Sequence, residues 1–164
     1  MDRVSELFAS HHDALYRYLV RLSGDPDVAA DAAQEAFVRL LARPPAGAAE
    51  RAWLFKVGTN YVLEGRRTAT RRGRLLLGRG ERTMADEPRD PLAGVEADEQ
   101  RRVVLAALSR LSDKERVAIL MREEGFSHRE IAEAVGTTTG SVGTLLARTL
   151  ERLARDTTFD RDAL

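Results

Sequence analysis

The sequence predicts an all-α protein of two small helical domains joined by a flexible linker, the C-terminal one a helix-turn-helix. Three observations carry that prediction. Apolar residues recur three and four positions apart through most of the chain, and no strand-like alternation or internal repeat persists. Two capping boxes, Ser112 with Glu115 and Ser127 with Glu130, are each followed by a glycine where a helix would end, Gly125 and Gly136. Between the halves, Gly73 to Gly94 holds four glycines and two prolines, with few large apolar groups besides Leu75, Leu76 and Leu77. The boundaries that follow are 1–72 for the first domain, 73–97 for the linker, 98–156 for the second domain and 157–164 for a tail.

Each element has a local reason. Val4, Leu7, Phe8, Leu15, Tyr18, Leu19 and Leu22 form the apolar face of a first helix that stops at Gly24. Asp25-Pro26 reads as an N-cap followed by proline at the first helical position, where its missing N–H costs nothing. The second helix runs to about Ala42, with Val28, Ala32, Ala36, Phe37, Leu40 and Leu41 on its face. Pro44-Pro45-Ala46-Gly47 cannot continue a helix, so a loop follows. A third helix starts near Ala49 and carries Trp53, Leu54, Val57, Tyr61 and Val62 before running into arginines.

In the second half, helices begin near Asp113 and His128. Leu108, Leu111, Val117, Ile119, Leu120, Ile131, Ala132, Val135, Val142, Leu146, Leu150 and Leu153 supply the apolar faces of one small core. The turn from Gly136 to Thr138 is short, which makes the last two helices cross steeply, as a support helix and a reading helix do. Thr138 is the expected N-cap of that last helix and places Thr139, Ser141 and Thr144 early on it, where small hydroxyls meet phosphates or base edges. A plain protein-binding module has the same outline.

Composition excludes several classes. Twenty-six basic residues balance twenty-six acidic ones, which argues against a generic nucleic-acid coat protein. With no cysteine there is no disulfide framework or thiolate metal site, and three histidines, two adjacent as His11 and His12, make a poor metal set. No cofactor and no metal are expected. No apolar run reaches the length of a membrane span and the charged N-terminus lacks a signal-peptide core, so a cytoplasmic protein without membrane partners is expected. There is no glycine-rich phosphate loop, no nucleophile-base pair with local logic and no metal spacing, so a hydrolase or transferase reading finds no support and no catalytic residues are expected.

Charge is unevenly placed. Arg66, Arg67, Arg71, Arg72, Arg74, Arg79 and Arg82 form a basic block with Glu81 as its one acid, followed by Asp86, Glu87, Asp90, Glu96, Asp98 and Glu99 opposed by Arg89 alone. The block reads either as a track for a phosphate backbone or as a solvated helix end favoured by the macrodipole.

Five runs then occur in a specific order: Asp13-Ala14-Leu15-Tyr16-Arg17-Tyr18-Leu19, Gly24-Asp25, Asp31-Ala32-Ala33-Gln34-Glu35-Ala36-Phe37, Ala52-Trp53-Leu54-Phe55-Lys56-Val57 and Leu111-Ser112-Asp113-Lys114-Glu115-Arg116. In that order, around a linker and before a helix-turn-helix, they resemble bacterial RNA polymerase sigma factors of the extracytoplasmic-function (ECF) group. The resemblance covers both domains and implies a dissociable specificity subunit that binds core RNA polymerase, directs promoter-specific initiation and melts the minus-ten element without ATP.

In that family the second helix docks on the clamp helices of the largest polymerase subunit, which carries over Asp31, Gln34, Glu35 and Phe37 as core-binding positions. Acidic and amide groups three and four residues apart share one helix face and suit a basic partner. For Gln34 and Glu35 a solvated face is the alternative, and for Phe37 core packing. The third helix and the loop from Arg43 to Arg51 would face the minus-ten element, with Lys56, Asn60, Tyr61, Arg66, Arg67 and Arg71 holding unstacked bases and phosphates. Thr59 stands where the family often has arginine, which implies one phosphate contact fewer.

The helix-turn-helix would meet the flap of the second-largest subunit and read the minus-thirty-five element through Thr138, Thr139, Ser141, Thr144 and Arg148. Here the chain departs from its relatives. The family commonly has Gly-Thr-Val-Lys-Ser-Arg-Leu-x-Arg-Ala-Arg, so Gly143, Leu145 and Leu150 stand at three basic positions, while Arg148, Arg152 and Arg155 come late on the helix and suit backbone contact. Gly143 also costs the helix about 1 kcal/mol relative to alanine. An anti-sigma factor is the regulatory partner the resemblance implies. The alternative function is a sigma-like polymerase-binding regulator or decoy, whose C-terminal domain binds a protein through Leu145 or Leu150 rather than promoter DNA.

Overall fold

The computed structural model describes residues 2–47, 49–75 and 95–161, with side-chain surroundings over 2–47, 49–72 and 98–157. The described residues form seven helices: α1 (Arg3–Ser23), α2 (Pro26–Ala42), α3 (Glu50–Leu75), α4 (Val95–Ser109), α5 (Asp113–Glu123), α6 (His128–Val135) and α7 (Thr139–Arg161). They belong to two compact units, Met1–Glu87 and Pro88–Leu164. Helix extends further than the sequence suggests: α3 and α4 reach into the expected linker and α7 into the expected tail. Leu76, Leu77, Arg79, Arg82, Asp86, Glu87 and Asp90 lie outside the described residues.

In the first unit, Asp2 caps α1 by accepting from Ser5 N at 2.9 Å, and Gly24 ends it with φ 70°. Asp25 at once caps α2, accepting from the N–H groups of Asp27 and Val28, with Pro26 at the first helical position. Leu15, Tyr18, Leu19 and Leu22 of α1 meet Ala29, Ala32, Ala33, Ala36, Phe37 and Leu40 of α2 and Leu54, Phe55 and Val62 of α3 in one core. Small residues on α2 let the helices approach closely, and α3 uses Gly58 in the same way. A Cβ there would lie 3.2 Å from both methyl groups of Leu19.

One polar pair sits inside this core. The Tyr18 hydroxyl and Thr59 Oγ1 are 2.7 Å apart and fully buried, so each satisfies the other. Tyr18→Phe is expected to cost the unit about 1–2 kcal/mol, read as the shift of its urea midpoint, because the threonine hydroxyl loses its partner. Arg66 makes a second tie: its guanidinium donates to the carbonyls of Leu22 at 2.7 Å and Ser23 at 3.2 Å. Those carbonyls end α1, where the helix dipole favours a cation.

In the second unit both capping boxes form, with Ser112 and Glu115 opening α5 and Ser127 and Glu130 opening α6. Gly125 and Gly136 take φ 85° and 72° at the two helix exits. Leu108, Leu111, Val117, Leu120, Ile131, Ala132, Val135, Val142 and Leu146 are buried as expected, joined by Ala118, Met121 and Phe126. Ile119 and Leu153 are only half-buried, and Leu150 is 55% exposed because it lies toward the edge of α7 rather than beneath it.

Two arginines hold this unit together. Arg116, 5% exposed, donates from Nε to Leu108 O at 2.8 Å and from one terminal nitrogen to Leu111 O at 2.9 Å and Ser109 O at 3.3 Å. One guanidinium thereby closes the C-terminal end of α4. Arg152 grips both carboxylate oxygens of Glu115, at 2.8 and 2.9 Å, and so links α7 to the start of α5. The guanidinium expected to meet a DNA backbone thus has an internal partner.

Partial burial pushes the Glu115 carboxyl up, but the Ser112 backbone N–H and the Arg152 guanidinium outweigh it and hold the group below the usual glutamate value. A carboxyl lowered on folding contributes stability above its unfolded value and loses it as the pH falls through the folded one. The second unit is therefore expected to weaken below the ordinary glutamate range, with Glu115→Gln showing less stability at neutral pH and a flatter acid limb. Thermal melts across pH measure this.

Candidate nucleic-acid and partner interfaces

The first surface lies on α2. Asp31 and Gln34 are exposed, and Glu35 is half-buried with its carboxylate 2.7 Å from Arg39 Nε, one turn on. Phe37, 6% exposed, belongs to the core, as its alternative role required. Its ring also forms the floor of a groove between α1 and α2. Phe8 lies 5.0 Å from it and stacks on His12 at 4.3 Å, and Tyr16, Gln34, Val38 and Leu41 complete the lining. Phe8 is 48% exposed and Leu41 63%, although both were expected to face the core. Three helices enclose one interior, and the apolar arc of α2 is wider than that interior can cover. The run Phe37-Val38 followed by Leu40-Leu41 was the available signal.

The second surface lies on α3. Lys56, Asn60, Arg67 and Arg71 are all exposed, and their spacing of four, seven and four puts them on one stripe at the helical period. The stripe is about 22 Å long at 1.5 Å per residue. Tyr61 is half-buried and lies round the helix from it. Arg66 lies on another side, with its guanidinium on the end of α1, because its position faces the first helix. Thr59 is fully buried against Tyr18, so this position faces the core and not the exposed stripe. In the first turn of α3, Arg51 packs over the Phe55 ring at 5.2 Å.

The third surface lies on α7. Thr138 caps it, with Oγ1 accepting from Ser141 N at 3.3 Å and lying 2.7 Å from the Ser141 hydroxyl. Thr138, Thr139, Ser141, Thr144 and Arg148 are exposed, while Val142, Leu146 and Thr149 face inward. Leu145 is half-buried, which leaves Leu150 as the exposed large apolar side chain among the described residues of α7. Among the described residues no group of three or more His, Cys, Asp or Glu could hold a metal ion. No described helix is long and apolar enough to cross a membrane.

These surfaces fall in two segments with known counterparts. Residues 7–72 match the Sigma-70 region 2 family and residues 101–153 the Sigma-70 region 4 family. The chain is 33% identical over 142 residues to the ECF RNA polymerase sigma factor SigL of Mycobacterium tuberculosis, covering 83% of this chain and 78% of the relative. It is 25% identical to the RNA polymerase sigma factor YlaC of Bacillus subtilis over 98% of this chain and 95% of that one. In fold it is similar to the sigma factor RpoE of Bartonella quintana, solved in complex with the anti-sigma factor NepR, with a TM-score of 0.76 at 23% identity over 95% of this chain and 97% of that one.

Proposed function

The chain belongs to the ECF RNA polymerase sigma factors, which are promoter-specific initiation factors and not enzymes, and we propose that it melts the minus-ten element itself, using one surface for each task. Asp31, Gln34 and Glu35, with Phe37 beneath them, dock on the clamp helices of the largest polymerase subunit. The α3 stripe holds the opened minus-ten strand. The exposed face of α7 reads the minus-thirty-five element, and its unit meets the flap of the second-largest subunit. The setting is the cytoplasm, and an inhibitor of the anti-sigma class is the regulatory partner.

The stripe carries this reading. Cations at Lys56, Arg67 and Arg71 with the Asn60 amide between them form a line that can follow a phosphate backbone and hydrogen-bond a base edge, while half-buried Tyr61 flanks it. Melting without ATP requires that the separated strand be bound more tightly than the duplex, and a rigid helix presents these groups already ordered.

Permanganate oxidation of unpaired thymines tests it, using core polymerase, this chain and genomic fragments retained by the complex. Reactive thymines within the minus-ten region, absent without ATP-independent opening and lost in Asn60→Ala with Tyr61→Ala, are the expected result. Core binding with duplex that never becomes reactive would instead favour the regulator or decoy, whose protein grip would use exposed Leu150.

A further inference from the structure

The edges of α7 carry Gly143, Leu145 and Leu150, none of them a cation, yet other helices place cations along both edges. With Val142 and Leu146 facing inward, the helical period puts Gly143 on one edge of α7 and Ser141, Leu145 and Arg148 on the other. Gly140, Thr144 and Ala147 point away from the core between them and are exposed.

On the first edge, a Cβ added to Gly143 would meet His128 Cε1 at 4.0 Å and nothing nearer. His128 opens α6, and its Nε2 lies 3.2 Å from the guanidinium of Arg122 in the last turn of α5. Arginine only donates, so Nε2 is the acceptor in this contact. The cation thus stands beside the gap that glycine leaves. On the second edge, exposed Lys114 from the first turn of α5 lines one shallow cleft with Ser141, Thr144 and Arg148.

A helix about 10–12 Å across nearly fills a major groove about 12 Å wide, so its centre faces bases and its edges face the two phosphate backbones. We infer that the phosphate contacts along the edges of α7 are supplied by its neighbours. Arg122, steadied by His128, binds the backbone along the Gly143 edge, and Lys114 with Arg148 binds it along the other. The inference rests on the DNA-reading role of the second unit.

The test is binding of the full chain to a labelled random-sequence duplex of about 30 base pairs, followed by anisotropy against salt, where each lost phosphate contact lowers the log–log slope by about 0.9. Arg122→Gln and Lys114→Gln are each expected to lower the slope by about that amount. Gly143→Lys, added to Arg122→Gln, is expected to restore it, which a merely structural arginine would not allow. Unchanged slopes in both single variants, or no rescue, would overturn the inference. Gly140→Glu separates the two levels, since its Cβ meets nothing within 4 Å and it sets a negative charge at the centre of the face. Weakened binding by that variant alongside unchanged edge slopes would sink only the placement of the cations. Undiminished binding by Gly140→Glu would sink DNA reading by this face, and the inference with it.

Discussion

Arg116→Met is expected to destabilise the second unit by about 2–3 kcal/mol, the largest stability effect of any single change considered. The substitution keeps most of the aliphatic stem but removes the donor shared by the carbonyls of Leu108, Ser109 and Leu111; Leu108 O keeps the Leu111 N–H and Ser109 is exposed, so the buried Leu111 O bears the cost. A buried carbonyl without a partner loses its hydration and gains nothing in return. Arg116→Lys should recover little, because an ammonium at the end of a flexible stem does not match acceptors placed for a planar fork. Chemical denaturation followed by far-UV circular dichroism measures the loss. The single tryptophan, Trp53, lies on α3 and reports the first unit in the same sample. A shift under about 1 kcal/mol would mean that water replaces the guanidinium at little cost.

Alanine at Asp31, Gln34 and Glu35 together is expected to weaken binding to core polymerase by roughly 100-fold or more, if each contact contributes about 1 kcal/mol or somewhat more. The fold should survive. Asp31 and Gln34 are exposed, and the Glu35 pair with Arg39 is a surface i,i+4 contact worth about 0.3–0.5 kcal/mol. Anisotropy of labelled chain titrated with core polymerase gives the affinity, and circular dichroism verifies helix content. Unchanged affinity with a preserved spectrum would remove this face of α2 from the interface.

The helix ends were legible because their causes are local. Asp25 before Pro26, Ser112 with Glu115 and Ser127 with Glu130 all act within one turn, and each caps the helix its spacing announced. Charged groups with distant partners were not legible in this way. Arg66 reads as one member of a basic block, yet its acceptors are Leu22 and Ser23 on another helix. Arg116 gives no sign of its role and Arg152 reads as suited to a DNA backbone until the fold brings α4 and α5 beside them. Thr59 was read as a surface position because the resemblance gave its residue type without its direction, which is toward Tyr18. Phe8 and Leu41 erred the other way. Periodicity assigns them an apolar face, but it does not say how much of that face a three-helix core can cover.

The same division runs through the surfaces. Lys56, Asn60, Arg67 and Arg71 form one stripe because all four sit on a single helix, where spacing alone determines direction. The edges of α7 draw on α5 and α6, so only the folded unit brings Lys114, Arg122 and His128 alongside it.

The most direct measurement is run-off transcription with purified bacterial core polymerase, this chain and fragmented genomic DNA, with the Asp31, Gln34 and Glu35 alanine variant in parallel. Discrete transcripts that depend on the chain and disappear with the variant are the expected result for an initiation factor. Stable binding to core polymerase with no promoter-specific transcript from any fragment would contradict that function and identify a polymerase-bound regulator instead.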